Sequence, residues 1–183
     1  MLLSKKDKKY KLSARTVALV GIMAATLSCG KLALSFLPNV EVVTLLCALY
    51  GYVFGLYGVI AAAIFVCIEP LLYGIGSWMI TYFIYWPLVA AVFMLLRKRG
   101  VTRRLWLTFA AVLLTLFFGV LSSVVDSAFY LGINEHYLSN LIIYYVRGSF
   151  FYAIQLACNL VLFPTLFLFL AKKIELLIKN TVI

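Results

Sequence analysis

Five ionisable side chains stand apart from the other charges of this chain: Lys31, Glu41, Glu69, Asp126 and Arg147 each lie within or at the edge of a long apolar run. A charge in such surroundings is costly unless it is paired or lines a water-filled cavity, so each one marks either a structural ion pair or a binding site. Aromatic residues crowd the same segments, including Tyr73, Trp78, Tyr82, Trp86 and Tyr144. Trp78, Tyr82 and Trp86 are spaced four apart, which puts them on one face of a helix. Such a stripe stacks well on a flat heterocycle, while Glu69, Asp126 and Arg147 hold its polar rim. The competing reading makes the Tyr and Trp residues an interfacial belt and the charges two ion pairs and a snorkelling side chain. Gln155 and Asn159, which share a helix face, add amide contacts to a ligand or act as glue between helices.

Other chemistry is missing. Gly30-Lys31 is followed by Leu32 and preceded five positions earlier by Ala25, so it is no phosphate-binding loop. One histidine, His136, and scattered acids supply no metal cluster. Cys29, Cys47, Cys67 and Cys158 stand far apart in apolar segments and read as small packing residues in lipid. Ser77 and His136 form a conceivable serine-protease pair, but nothing around Ser77 makes an oxyanion hole. The expectation is therefore a protein that is not an enzyme and carries no metal or other cofactor.

The elements that must position these residues follow from composition. Of 183 residues, 66% are apolar and 12% charged, proportions that place most of the chain in lipid and leave no room for a soluble domain. The formal net charge of +10 is concentrated: fourteen of the sixteen Lys and Arg residues fall in three clusters flanking apolar runs, which argues for topology signals and against nucleic-acid binding. They are Lys5, Lys6, Lys8, Lys9, Lys11 and Arg15; Arg97, Lys98, Arg99, Arg103 and Arg104; and Lys172, Lys173 and Lys179. Placing all three in the cytoplasm, in contact with anionic lipid headgroups, requires an even number of spans.

Six spans satisfy that rule, over residues 13–36, 41–54, 58–73, 78–96, 105–131 and 141–171. The chain is thus predicted to be a single all-α integral membrane domain, a compact six-helix bundle with both termini cytoplasmic. The second and third spans are short and belong in the middle of the bundle. Pro164 allows a kink in the last. Thr26 occupies the aliphatic position of a lipoprotein-like run ending at Cys29, and no A-x-A exit follows, so the first span is expected to be retained. In this topology all five isolated charges fall in the outer half of the membrane and suggest a cavity that opens outward. The first span carries Ala14, Ala18, Gly21 and Ala25, a small-xxx-small pattern that lets another helix approach closely.

Those residues resemble a family: the substrate-binding S components of energy-coupling factor (ECF) vitamin transporters of bacteria. The resemblance covers nearly the whole chain. It rests on length, the six spans, the pattern Ala14 to Ala25, the segment Leu37-Pro38-Asn39-Val40-Glu41-Val42-Val43-Thr44-Leu45-Leu46, Glu69-Pro70-Leu71-Leu72-Tyr73-Gly74, and Trp78 to Pro87. It departs in placing Gly21 where alanine is typical. The resemblance implies a multi-pass protein of the bacterial plasma membrane that captures a vitamin or related metabolite and hydrolyses nothing itself. It further implies a transmembrane coupling subunit docked on Ala14, Ala18, Gly21 and Ala25, and two cytoplasmic ATPases. Glu41, Glu69, Tyr73, Trp78, Tyr82, Trp86, Asp126, Tyr144 and Arg147 are then the expected ligand contacts, with both charge signs represented. The rival class is a non-transporting membrane scaffold of a cell-shape or division complex, in which Glu69, Asp126 and Arg147 are structural pairs.

Overall fold

The computed structural model describes residues 13–37 and 40–181. The basic residues Lys5 to Lys11 and the Pro38-Asn39 turn lie outside them. Seven α-helical segments follow one another: α1 (Ala14–Ala33), α2 (Val43–Phe54), α3 (Leu56–Tyr73), α4 (Trp78–Lys98), α5 (Arg104–Leu131), α6 (Tyr137–Leu162) and α7 (Leu168–Thr181), with a π-helical turn at Phe163–Phe167 joining α6 to α7. No strand occurs among the described residues. Since α6, the π turn and α7 form one rod over Tyr137–Asn180, the architecture is six helices, of which five are long and apolar enough to cross a membrane.

The outer surface agrees with that reading. Ile22, Ile64, Ile84, Leu113, Phe117 and Val161 are all exposed, an apolar coat that water would penalise and lipid accepts. The chain is a helical multi-pass membrane bundle.

The shortest helix is the most enclosed. Nine of the twelve residues of α2 are buried, and α1, α3, α4 and the start of α7 pack around it. At about 1.5 Å per residue, α2 is roughly 18 Å long and falls well short of a hydrocarbon layer about 30 Å thick. It is separated from α3 by Gly55 alone, whose φ of 61° turns the chain within one residue. The backbones of α2 and α4 touch at Gly51, where a Cβ would stand 2.0 Å from the carbonyl oxygen of Ala90. Glycine at 51 is what allows this closeness.

The last helix differs from the sequence expectation at both ends. It begins at Tyr137 instead of 141 and continues to Thr181 instead of 171, because hydropathy bounds only the part of a helix that lies in lipid. The expected disturbance at Pro164 takes the form of the π turn. Proline has no N–H to donate and its ring crowds the preceding carbonyls, so the helix widens locally. The Arg104 guanidinium donates to the Pro164 carbonyl at 3.3 Å, and the Thr165 hydroxyl donates to the Val161 carbonyl at 2.5 Å.

Contacts between helix ends define two poles. At one, Lys31 meets Glu69, and Ser77 meets Asp126, so the C-terminal ends of α1, α3 and α5 lie with the N-terminal ends of α2 and α4. At the other, the Tyr52 hydroxyl donates to the Val101 carbonyl at 2.9 Å, and Arg97 pairs with Glu175 at 2.7 Å. The second pole carries the described members of the basic clusters and is the one that the positive-inside bias assigns to the cytoplasm. Stacked Phe163 and Phe167, with Phe93 and Tyr52 against them, seal the interior next to it.

Candidate functional site

A cavity of about 390 Å³ opens at the first pole, within the size range of small-molecule sites. Its walls come from the end of α1 (Lys31, Leu34, Ser35), the segment leading into α2 (Leu37, Val40, Glu41), Tyr73 of α3, the stripe Trp78, Tyr82 and Trp86 of α4, Phe118 of α5 and Gln155 of α6. The cavity exists because α2 begins late, at Val43, so the chain around Glu41 forms a floor below the ends of the neighbouring helices.

The four-residue spacing on α4 does what the sequence suggested. Trp78 packs edge-on against Tyr82 at 5.1 Å between ring centroids, and Tyr82 against Trp86 at 5.5 Å. Phe65, Tyr85 and Phe118 buttress Trp86 from three sides. The result is a continuous aromatic wall whose inner member is locked by packing and whose outer members are partly open.

Lys31 is held against that wall. Its ammonium stands 4.3 Å from the ring centroid of Tyr73, 4.8 Å from that of Tyr82 and 5.7 Å from that of Trp78, and it forms an ion pair with Glu69. Glu69 is fully buried on α3 and does not line the cavity. An ammonium caged by ring faces and a carboxylate satisfies both its Coulombic and its cation–π needs within the protein. The pair spans 38 positions in the chain, a separation that helical spacing cannot reveal.

Glu41 is bound differently. Its Oε2 accepts the Thr44 backbone N–H at 2.9 Å, and its Oε1 accepts the Thr44 hydroxyl at 2.5 Å and the Gln155 amide at 3.2 Å. It thereby caps the free N–H groups at the start of α2, where a negative charge also meets the helix dipole favourably. No cation pairs with it among the described residues.

Of the nine expected ligand contacts, Glu41, Tyr73, Trp78, Tyr82 and Trp86 line the cavity. Glu69 reaches it only through Lys31. Asp126 is turned to another partner, accepting the Ser77 hydroxyl at 2.6 Å and so tying the α3–α4 turn to α5. Ser77 is thus committed to a carboxylate, and His136 sits beside Glu135 on the surface. Tyr144 shares a helix face with Gln155 but lies eleven residues earlier, about 16 Å along the helix. Arg147 is exposed, its guanidinium 5.8 Å from the Tyr144 ring centroid. Tyr144 and Arg147 therefore do not line the cavity, because the outer half of α6 packs on α5 and stands clear of α1 and α2.

Of the wall residues that sequence reasoning did not place among the nine ligand contacts, Phe118 and Lys31 are the two that meet the aromatic stripe. Phe118 is an apolar residue in an apolar run and gives no signal. Lys31 does, as the one lysine outside the three basic clusters. Among the described residues there is no grouping of His, Cys, Asp and Glu that could hold a metal ion. Comparison with protein-family models, curated proteins and solved structures finds no match to this chain.

Proposed function

We propose that this chain is the substrate-capturing subunit of a bacterial uptake system, an S component of an energy-coupling factor transporter. It takes a vitamin or related small metabolite from outside the cell for uptake driven by a partner coupling subunit and two cytoplasmic ATPases. The observation that carries the reading is the cavity itself: an aromatic wall, a caged lysine and a carboxylate without a cationic partner among the described residues converge at the pole opposite the described basic residues. A scaffold has no need of such a chamber. Binding is non-covalent, with a flat ring packed against Tyr82 and Trp86, parallel to one and edge-on to the other, while polar groups of the floor fix its edge.

The same reading gives α1 a second task. Ala14, Ala18, Gly21 and Ala25 are all exposed, and a Cβ added at Gly21 would meet nothing within 4 Å. That smooth face suits close approach of a coupling-subunit helix in the plasma membrane.

The test is to purify the protein in detergent, release any bound metabolite by denaturation, and identify it by mass spectrometry. Rebinding of the identified compound is then followed by tryptophan fluorescence. Tyr82→Leu removes the central ring of the wall and keeps apolar bulk. It is expected to weaken rebinding about 5- to 100-fold, the equivalent of about 1–3 kcal/mol of stacking. Absence of any bound compound, together with no response to a panel of vitamins and their precursors by the folded protein, would move the scaffold reading ahead.

A further inference from the structure

The cavity also carries information about the charge of what enters it, an inference that rests on the solute-capture reading. Two wall residues are formally charged, Lys31 and Glu41. Lys31 is already neutralised by Glu69 and surrounded by ring faces. Glu41 has only neutral donors, Thr44 and Gln155. With Arg147 far along α6, no cation is left among the described residues to balance Glu41.

Gln155 points the same way. With Glu41 ionised, the amide nitrogen of Gln155 donates to it, which fixes the orientation of the group, because an ionised carboxylate can only accept. The other end, Oε1, is then an acceptor, and it is buried without a hydrogen-bond partner. A buried acceptor left unpaired is costly, and a half-buried carboxylate that lines a cavity within the membrane lacks the counter-charge that would offset its partial desolvation. Both costs are removed by one kind of guest.

We infer that the cavity takes a planar nitrogen heterocycle bearing a positive charge and N–H donors, the charge lying against Glu41, a donor reaching Gln155 Oε1, and the ring packed against Tyr82 and Trp86, parallel to one and edge-on to the other. An anionic ligand meets the uncompensated carboxylate and gains nothing from Lys31, whose charge is already spent on Glu69. Capping of α2 accounts for the Thr44 contacts of Glu41 but leaves the missing counter-charge and the unpaired amide oxygen unexplained.

The test uses purified protein in detergent and three groups of probes: cationic heterocycles (thiamine, pyridoxamine, 7-aminomethyl-7-deazaguanine), neutral riboflavin, and anionic folate, biotin and pantothenate. A cationic probe is expected to bind tightest. Glu41→Gln, whose amide oxygen still accepts the Thr44 N–H, is expected to weaken that probe at least about 30-fold, as befits loss of a charge-assisted contact. Gln155→Met removes one donor to Glu41 but keeps both of its Thr44 contacts, and is expected to weaken binding of the cationic probe about 5- to 10-fold. If an anionic or neutral probe binds tightest and Glu41→Gln leaves its affinity unchanged or improved, the charge assignment is overturned while solute capture stands. If no probe binds to the folded protein, both are overturned.

Discussion

Replacing Gly51 by alanine is expected to disrupt the bundle far more than the same change at Gly21. The added Cβ would fall 2.0 Å from the Ala90 oxygen, 2.6 Å from its carbonyl carbon and 2.7 Å from its Cα, all backbone atoms that no rotamer change can move aside. Overpacking of a core by a methyl group commonly costs about 1–3 kcal/mol when side chains can adjust. Here α2 must separate from α4 along its length, so a loss above about 3 kcal/mol is expected, read as lowered yield and a lower unfolding midpoint in detergent. Gly21→Ala provides the contrast. Its Cβ meets nothing within 4 Å, and alanine is the better helix former, so stability should be unchanged or gain up to about 1 kcal/mol. Equal behaviour of the two variants would contradict the close contact of α2 with α4.

The second large effect concerns Lys31 and Glu69. Lys31→Met leaves a fully buried carboxylate without its cation and is expected to destabilise the ligand-free protein by about 3–5 kcal/mol. Adding Glu69→Gln removes the orphaned charge, so the double variant should recover most of that loss. The sign of the coupling is the decisive quantity. A double variant less stable than either single one would mean that Lys31 and Glu69 contribute independently, and that the cage of Tyr73, Tyr82 and Trp78 holds the ammonium without help from the carboxylate.

Much of the bundle was legible in the sequence because lipid imposes a strong pattern. Apolar runs interrupted at Gly55, Gly74 to Ser77 and Gly132 place helix ends within a few residues of where they occur. The aromatic wall was legible for a similar reason, since i, i+4 neighbours on one helix need no tertiary knowledge. Relations between helices were not legible. Five isolated charges at similar depth suggested one polar cluster, yet depth says nothing about rotation or lateral position. Asp126 went to Ser77 and Arg147 to the outside of α6, while Lys31 found Glu69. The extension of the last helix to Thr181 escaped for another reason: beyond Ala171 it is amphipathic, and Lys172, Lys173, Glu175 and Lys179 give a periodicity that hydropathy does not weigh.

The shortness of α2 has an electrical consequence. Its lower end, at Tyr52, lies beside Arg97 near the basic pole, so its upper end stops roughly 12 Å below the opposite edge of the hydrocarbon layer. On the outward-facing reading, Glu41 therefore sits about four-tenths of the way into the membrane dielectric. A monovalent cation resting against it has crossed at most a comparable share of the transmembrane voltage, and less where water fills the open cavity above it. Moving a full elementary charge through 100 mV is worth about 2.3 kcal/mol, so an inside-negative potential of that size would favour occupancy by at most roughly 1 kcal/mol. On the proposed reading, the truncated helix would let an inside-negative membrane help hold a positively charged solute.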